Sequence, residues 1–435
     1  MIAAGRAGHR RAVRLIRRAL PGMVVLLMLA AAAAAVAGSR PADAAGQGPG
    51  GDGWVTSWAA SPQAARPGTL AAAGFDDQTV REVIFPSAGG DPVRLEVSNA
   101  FGASALRVGR VTVAVAGPGA TVEPGTIHPV TVGGSGSFQI PAGGQVLSDP
   151  VAMQVWPLRD LVVSVYLPDQ TGAATFHWDA QQVNWVSGPG DHAADAGGGA
   201  YSVPAASWYY LSGLIVRSPA AEGTVVTFGD SITDGIGSAA GADARWPNDL
   251  ARRLDGLDGP RLAVADEGIG GNRVLRDSPQ FGVSAEARFG PDALDVPGVR
   301  DIIVLEGIND IGFSAGARDV GAEVSAAQII AGYRRLVARA HARGLRIFGA
   351  TLLPFAGAGY YTAAGEAKRE AVNAWIRTSG AFDGVVDFDA AMRDPADPRR
   401  LNPGYDSGDH LHPDDAGYQA MADAVNLGML LPHAW

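Results

Sequence analysis

The chain has 435 residues, of which 47% are hydrophobic and 18% charged, which excludes a disordered or fibrous protein and predicts roughly two to three domains of about 150 residues. Its formal net charge of −10 argues against a general nucleic-acid binder, because such proteins need clustered Lys and Arg. The sequence contains no cysteine, which excludes disulfides, thiolate metal sites and cysteine nucleophiles.

The first 44 residues have the composition of a secretory signal peptide. They carry seven Arg and one Asp, and an uncharged, mostly apolar stretch spans residues 19–39. Small residues allow cleavage near Ala44 or near Ala37, so we expect an exported protein with no membrane association after cleavage. An uncleaved membrane anchor is the alternative, because about 20 apolar residues can span a bilayer. Without this segment the net charge becomes −16, from 27 basic and 43 acidic residues.

Residues 45–53 are predicted to form a flexible leader, and residues 54–218 an all-β domain. Runs at 80–85, 93–97 and 161–166 have strand character, several of them alternating apolar and polar residues, and no ten-residue helical stripe occurs. A β-sandwich is the expected architecture. Six of the nine Trp residues lie here and either fill the sandwich core or stack on a sugar from exposed positions: Trp54, Trp58, Trp156, Trp178, Trp185 and Trp208.

From residue 224 to residue 435, strand-like runs alternate with helical ones. The strand runs are 224–228, 262–264, 302–305, 346–352 and 385–388, and the helical runs are 329–340, 364–379 and 416–427. This alternation predicts a parallel sheet with helices on both faces, in which active sites form at the carboxyl ends of the strands. The residues that follow each strand are therefore the candidates for chemistry.

The turns after the first two strands carry a serine and a glycine cluster. Ser231 follows the first strand at the place where a nucleophile is expected, although serines are also common in turns. Gly268, Gly270 and Gly271 follow the second strand and let backbone N–H groups approach a ligand. They do not complete a dinucleotide-binding fingerprint, because Arg273 stands where its last glycine belongs.

The third strand and the C-terminal segment supply an amide, a carboxylate and an imidazole. Asn309 follows the third strand and can offer an N–H to a developing oxyanion, although Asn is also an ordinary turn former. Asp409 precedes His412 by three residues, a spacing that lets the carboxylate hold the imidazole in one tautomer. These groups, together with Ser231, are those that an acyl-transfer site requires.

Two nearby patterns suggest other chemistry. His410 and His412, with an aspartate that follows them, could bind a metal, but no further ligand cluster such as H-E-x-x-H occurs, so we expect no metal. Residues 312–316 spell G-x-S-x-G, the nucleophile elbow of α/β-hydrolases, which must turn directly from strand into helix. Because the preceding strand ends near residue 305, Ser314 is predicted to lie in a loop.

Four motifs occur in order at these strand ends: G-D-S at 229–231, G-x-G-G-N at 268–272, G-x-N-D at 307–310 and D-x-x-H at 409–412. In this order they resemble the SGNH/GDSL hydrolase family of esterases, and the match covers roughly residues 224–430. The resemblance implies a flavodoxin-like three-layer α/β/α domain in residues 224–435, after the β-rich domain. It also implies ester hydrolysis without a metal or organic cofactor.

The resemblance assigns a role to five residues. Ser231 is the nucleophile, His412 is the general base and then the general acid, and Asp409 orients His412. The backbone N–H groups of Ser231 and Gly271 and the side chain of Asn309 form the oxyanion hole. The resemblance thus implies a catalytic triad of Ser231, His412 and Asp409.

Two positions differ from the family pattern or fit it in two ways. Asp266 stands where the second motif of the family usually begins with Asn, a position that is normally structural. Gly270 fits the glycine of the oxyanion hole as well as Gly271 does. The wording I-G-G-N-R and E-G-I-N-D is similar to a branch that includes arylesterases and carbohydrate esterases linked with xylan breakdown.

Three functions stay open at this point. The first is a secreted esterase that removes short acyl groups, above all acetyl, from a carbohydrate, with a small-molecule or polysaccharide ester as its substrate. The second is a lipase, lysophospholipase or arylesterase with an apolar cleft near Phe281, Phe289, Phe313 and Phe355. The third is a non-catalytic binding protein that retains the hydrolase domain as a relic. No nucleic-acid partner is expected for any of them.

Overall fold

The computed structural model describes residues 53–259, 261–314 and 323–431, which belong to one compact unit. The predicted signal peptide and residues 45–52 of the predicted leader lie outside the described residues. Within the described residues, no helix has the length and apolar character needed to cross a membrane. A β-rich region comes first, and an α/β region follows from residue 221.

The β-rich region consists of short strands, paired antiparallel, and one helical turn. Its elements are β1 (Trp54–Ala59), α1 (Leu70–Ala73), β2 (Gln78–Ile84), β3 (Val93–Ser98), β4 (Leu106–Val108), β5 (Arg110–Val115), β6 (His128–Val130), β7 (Phe138–Ile140), β8 (Gln145–Leu147), β9 (Leu161–Leu167), β10 (Phe176–His177), β11 (Asn184–Pro189), β12 (Tyr201–Ala205), β13 (Trp208–Tyr209) and β14 (Leu211–Arg217). One sheet has the order β1-β14-β3-β8 and another β12-β11-β2-β9-β5-β6, with β10-β13 and β4-β7 as small pairs.

Strand β9 shows why these segments pack as a sandwich. Because successive side chains point to opposite faces, Val163 and Val165 enter the core that both large sheets share, whereas Val162 enters a smaller cluster on the outer face. The shared core also buries Trp58 and Trp208, whose rings meet edge to face at a centroid distance of 5.0 Å. The predicted all-β, sandwich-like region is confirmed.

The α/β region alternates strands and helices around one parallel sheet of order β16-β15-β17-β18-β19. Its elements are β15 (Ala221–Gly229), α2 (Ser231–Asp234), α3 (Trp246–Asp255), β16 (Arg261–Gly268), α4 (Ala285–Arg288), a π-helix (Gly290–Leu294), β17 (Val299–Leu305), α5 (Ile308–Phe313), α6 (Ala326–His341), β18 (Arg346–Ala350), α7 (Ala363–Thr378), β19 (Gly384–Val386), α8 (Phe388–Met392), α9 (Asp415–Ala424) and α10 (Leu427–Leu430). Helices α3, α8 and α9 pack together, as do α4, α6 and α7, so two helical layers enclose the sheet.

This architecture confirms the predicted flavodoxin-like α/β/α fold, with two local corrections. The predicted C-terminal helix 416–427 is wrong in extent: it breaks at the extended residue Val425, and Asn426 starts α10 by accepting the Gly428 N–H at 3.0 Å. Helix α3 was not among the predicted helices, although Trp246, Leu250 and Leu254 recur at every fourth position and form its buried face.

The β-rich region covers the edge strand β16 of the parallel sheet. The hydroxyl oxygen of Ser87 lies 2.8 Å from both the backbone N and the backbone O of Val264, and Ser61 donates to a carboxylate oxygen of Glu267 at 2.6 Å. An open strand edge exposes unpaired backbone groups that favour aggregation. The β-rich region therefore satisfies the edge of the sheet that carries the candidate site.

Candidate active site

Ser231 is the first residue of α2, just beyond the carboxyl end of β15. The turn is tight: a Cβ on Gly229 would lie 2.3 Å from both the backbone O of Leu305 and the hydroxyl of Thr233. Asp230 caps the helix, because its Oδ1 accepts the N–H of the second helical residue at 3.0 Å. This tight, capped turn carries Ser231 to the edge of the sheet.

His412 connects Ser231 to Asp409 through two short hydrogen bonds. Its Nε2 lies 2.8 Å from Ser231 Oγ, and its Nδ1 lies 2.5 Å from Asp409 Oδ2. A carboxylate can only accept, so Nδ1 carries the hydrogen and Nε2 of the neutral ring accepts from the serine hydroxyl. In this tautomer the imidazole is ready to take the serine proton.

Backbone groups hold Asp409 in place for this contact. Its Oδ1 accepts the N–H of Leu411 at 2.9 Å and the N–H of His412 at 2.8 Å. Partial burial works against ionisation of Asp409, but the hydrogen bond and charge of His412 and these two N–H groups lower its pKa below the usual range. The carboxylate is thus ionised and oriented toward the imidazole.

The neighbouring histidine forms a separate pair. His410 Nδ1 lies 2.5 Å from Asp406 Oδ2, and its backbone has a positive φ of 63°. The two histidines therefore face different aspartates, His410 facing Asp406 and His412 facing Asp409. Within residues 53–259, 261–314 and 323–431, no group of three or more His, Asp or Glu side chains is arranged to hold a metal ion.

The glycine pair after β16 has two distinct hydrogen-bonding roles. The N–H of Gly270 donates to Asp234 Oδ2 at 3.0 Å and is therefore already engaged. Gly271 has a φ of +79°, and a Cβ there would lie 2.2 Å from the ring of Phe281, so this position requires glycine. Of the two glycines that fit the family pattern, Gly271 is the better candidate for an oxyanion donor.

Asn309 lies in the first turn of α5 and is held at both ends of its amide. Its Nδ2 donates to the backbone O of Asn272 at 3.0 Å, and the Tyr360 hydroxyl donates to its Oδ1 at 3.3 Å. These contacts fix which end of the amide is the donor and leave its second N–H for a ligand. Asp310 accepts the Val274 N–H at 2.7 Å. This bond connects α5 to the segment 268–274, which begins at the last residue of β16 and which we call the glycine loop.

Arg288 joins the ends of β15 and β16 beneath the site. Its guanidinium donates to the backbone O of Gly229 at 2.7 Å, to the backbone O of Glu267 at 2.7 Å and to Asn272 Oδ1 at 2.9 Å. Because it lies in the four-residue helix α4 and in no motif, the sequence offered no signal for this role. The buried guanidinium of Arg288 therefore holds the turn that carries Ser231 at a fixed distance from the glycine loop.

Three carboxyl groups, those of Glu306, Asp230 and Asp310, are buried near one another in this interior. Burial and then repulsion by Asp230 raise the pKa of Glu306 well above its usual range, which favours its neutral form. Burial also raises the pKa of Asp230 to about 7 and that of Asp310 to about 6. The negative charge beneath Ser231 is thereby reduced, which favours a developing oxyanion nearby.

Asp266, the departure from the family pattern, is a mostly buried carboxyl with one unsatisfied oxygen. Its Oδ1 accepts the Gly268 N–H at 3.0 Å. Its Oδ2 has no hydrogen-bond partner among the described residues and lies 3.5 Å from Arg245 Nη1. Burial raises the pKa of Asp266 to about 7, although the charge of Arg245 opposes this.

We expect Asp266→Asn to stabilise the protein increasingly as pH rises from about 4 to about 7. The folded-state pKa of about 7 lies above the ordinary value of about 4, so the folded protein binds more protons between these values and loses stability as pH increases. Asn keeps the acceptor for Gly268 and does not ionise. Urea unfolding at several pH values measures the difference; a difference that does not change with pH would contradict the argument.

The fold and the site together define a class of protein. A parallel sheet between two helical layers, with the motifs of an acyl-transfer site at its carboxyl edge, is the architecture of three-layer α/β/α ester hydrolases. Residues 227–420, a little under half of the chain, match the model of the GDSL-like Lipase/Acylhydrolase family. The protein is therefore a hydrolase of ester bonds, as the motifs predicted.

Solved structures similar to this chain are distant in sequence. An aryl esterase of M. smegmatis is 17% identical, with 49% of this chain and 100% of the other covered and a TM-score of 0.37. An acetyl xylan esterase, AlAXEase, is 17% identical over 46% and 96%, with a TM-score of 0.35. A GDSL-like lipase from Bacteroides thetaiotaomicron is 18% identical over 48% and 88%, with a TM-score of 0.36. The comparison with curated proteins gave no significant match.

Proposed function

We propose that this protein is a secreted serine esterase that removes short acyl groups, above all acetyl, from carbohydrate esters. The observation that carries the catalytic part is the hydrogen-bonded chain from Ser231 through His412 to Asp409, with the two contacts at 2.8 Å and 2.5 Å. Neither a metal nor an organic cofactor has a step in this chemistry.

In the first half-reaction, Ser231 Oγ attacks the ester carbonyl while His412 Nε2 accepts the serine proton. Asp409 stabilises the imidazolium that forms, and its lowered pKa keeps it ionised for this purpose. The carbonyl oxygen becomes an oxyanion held by N–H groups. When the tetrahedral intermediate collapses, His412 gives its proton to the departing alcohol and an acyl–serine remains.

In the second half-reaction, water replaces the alcohol. His412 takes a proton from the water as it attacks the acyl–serine, and it returns that proton to Ser231 Oγ when the carboxylic acid leaves. The same oxyanion donors act in both steps: the N–H groups of Ser231 and Gly271 and the side chain of Asn309.

We expect Asn309→Ala to lower kcat by at least about tenfold while the fold is retained, because losing one oxyanion donor typically costs about 10²–10³ in kcat. KM should change little, since the donor acts on charge that develops only in the transition state. The matched control is Asn426→Ala, which removes the cap of α10 and should affect stability but not turnover. Near wild-type turnover of Asn309→Ala would remove this residue from the oxyanion hole.

The positions of four phenylalanines favour short acyl groups over lipid chains. Phe289 and Phe355 are fully buried in the core, so they cannot line a cleft for a long acyl chain. Phe281 and Phe313 remain partly exposed and stack on each other at 5.2 Å, beside Gly271. The apolar surface next to the oxyanion donors is therefore small.

An arylesterase is the second candidate, because the same stacked pair, Phe281 and Phe313, can pack on an aryl leaving group. A panel of p-nitrophenyl acetate, p-nitrophenyl octanoate and acetylated xylan separates the candidates, with acid release as the readout. We expect acetyl esters to be turned over faster than octanoyl esters and acetate to be released from acetylated xylan. Aryl acetate turnover without release from xylan would support the arylesterase, and octanoate preference would support a lipase.

Secretion is the part of the proposal that depends on sequence alone. It is supported by the basic start, the apolar stretch and the small-residue exits near Ala37 and Ala44. N-terminal sequencing of the protein recovered outside the cell would locate the cleavage site. Recovery of the full-length chain in the membrane fraction would favour the uncleaved anchor instead.

A further inference from the structure

A buried ion pair connects the β-rich region to the helix that begins with the nucleophile. His177, at the end of β10, lies with its Nε2 3.0 Å from Oδ1 of Asp234, the last residue of α2. The two side chains are 3% and 2% exposed. A pair so far from solvent is costly to form unless its geometry is good and its other groups are satisfied.

The hydrogen-bond partners of His177 define its protonation. Its Nδ1 lies 3.0 Å from the backbone O of Ser61, which can only accept, and its Nε2 faces the carboxylate of Asp234, which also only accepts when ionised. Both contacts are satisfied when both ring nitrogens carry hydrogen, which favours the imidazolium form of His177. Although burial alone would lower its pKa, the charge and hydrogen bond of Asp234 and the Ser61 contact together raise it.

The second oxygen of Asp234 reaches the glycine loop. Its Oδ2 accepts the N–H of Gly270 at 3.0 Å, and Gly270 directly precedes Gly271, the candidate oxyanion donor. The loop also lies against the end of α2, since a Cβ on Gly268 would be 2.2 Å from the backbone N of Asp234. A continuous path of hydrogen bonds thus runs from His177 through Asp234 to Gly270.

We propose that His177 is a positioning residue for the glycine loop, which carries the candidate oxyanion donor Gly271. Through His177, the β-rich region thereby takes part in ester hydrolysis. The ring N–H of His177 orients the Asp234 carboxylate, and Asp234 in turn fixes the Gly270 peptide and the direction of the Gly271 N–H. Without the imidazole, Asp234 Oδ1 loses this contact, and the carboxylate can turn away from the Gly270 N–H. Oxyanion donors act only within a narrow geometry, so a small displacement of this loop costs turnover.

The inference rests on the proposed function, because it requires Gly271 to bind the oxyanion. We expect His177→Gln and Asp234→Asn each to lower kcat for p-nitrophenyl acetate by at least about tenfold, with KM within about twofold of the wild type. This loss is smaller than the fall in kcat of about 10²–10³ that follows removal of an oxyanion donor itself. The double variant should be no slower than about the worse single variant, because both act through one path. His192→Gln is the matched control: His192 pairs with Asp195 at 2.8 Å on the surface of the same region, and its turnover should be unchanged.

Each outcome decides the matter. Folded variants that melt at lower temperature yet keep wild-type kcat would make the pair purely structural and overturn the inference, as would two fully additive losses. If neither variant folds, the contact serves folding and the inference also fails. Ester hydrolysis that survives the Ser231→Ala substitution would instead refute the proposed function. The two failures are therefore distinguishable.

Discussion

Ser231→Ala should abolish ester hydrolysis, with a fall in kcat of up to about 10⁶-fold and a melting temperature close to that of the wild type. Alanine leaves no oxygen to attack the carbonyl, and loss of a serine nucleophile from an acyl-transfer triad has effects of this size. Ser231 is only 4% exposed and its hydroxyl bonds to His412, so replacing the small side chain by alanine changes packing little. Release of p-nitrophenol from the acetate ester and a thermal melt provide the two measurements.

Ser314→Ala is the matched control for this experiment. Ser314 fits the G-x-S-x-G pattern, but it follows α5 rather than a strand, and its hydroxyl donates to the backbone O of Ile311 at 2.8 Å. As predicted, it lies in a turn, and its replacement should leave kcat within about twofold. If Ser314→Ala rather than Ser231→Ala removed activity, or if Ser231→Ala retained it, the assignment of the nucleophile would be wrong.

The strand ends of the α/β region could be predicted because each carries a local signal. Buried runs such as the one now seen as β17 end in Gly, Asn or Asp, and parallel strands bring their carboxyl ends to one edge. Ser231 and Asn309 are predicted on that basis, whereas His412 is predicted from the carboxylate three residues before it. In the structure Ser231 and His412 are in contact. The choice between Gly270 and Gly271 was not local, since it depends on the Asp234 carboxylate.

The contacts between the two regions had no signal in the sequence. His177 and Asp234 are 57 positions apart, and each alone has an ordinary setting, a histidine in a β-rich stretch and an aspartate in a turn motif. Arg288 and Ser87 likewise become important only when the folded chain brings them to β16. Sequence patterns reveal local features, such as the periodicity of apolar residues and the turns that end strands. These contacts depend instead on how segments distant in sequence pack in the folded protein.

The tryptophans divide between the two alternatives that composition left open. Trp58 and Trp208 are core residues, whereas Trp156 is 59% exposed. Trp178 is partly buried and lies under the guanidinium of Arg66, with 3.3 Å from Cζ to the ring centroid. In this chain, tryptophans fill the core, contact an arginine through a cation–π interaction or lie exposed to solvent. A β-rich region with many aromatic residues is therefore not in itself a carbohydrate-binding surface.

Asp409→Asn should lower kcat by about 10³–10⁴-fold without unfolding the protein. An amide that donates toward His412 Nδ1 favours the tautomer with hydrogen on Nε2, which cannot accept the proton of Ser231. The backbone N–H groups of Leu411 and His412 can still bond to the remaining amide oxygen, so the turn should persist. Steady-state turnover of p-nitrophenyl acetate, with circular dichroism for the fold, measures the effect.

Asp406→Asn provides the comparison, because Asp406 faces His410 at the same 2.5 Å distance in the same turn but makes no described contact with Ser231. Its turnover should stay within about threefold of the wild type, since it perturbs the turn without altering the tautomer of His412. Equal losses in Asp406→Asn and Asp409→Asn would show that the aspartates act by holding the turn. A loss confined to Asp409→Asn would locate the effect in the imidazole that faces the nucleophile.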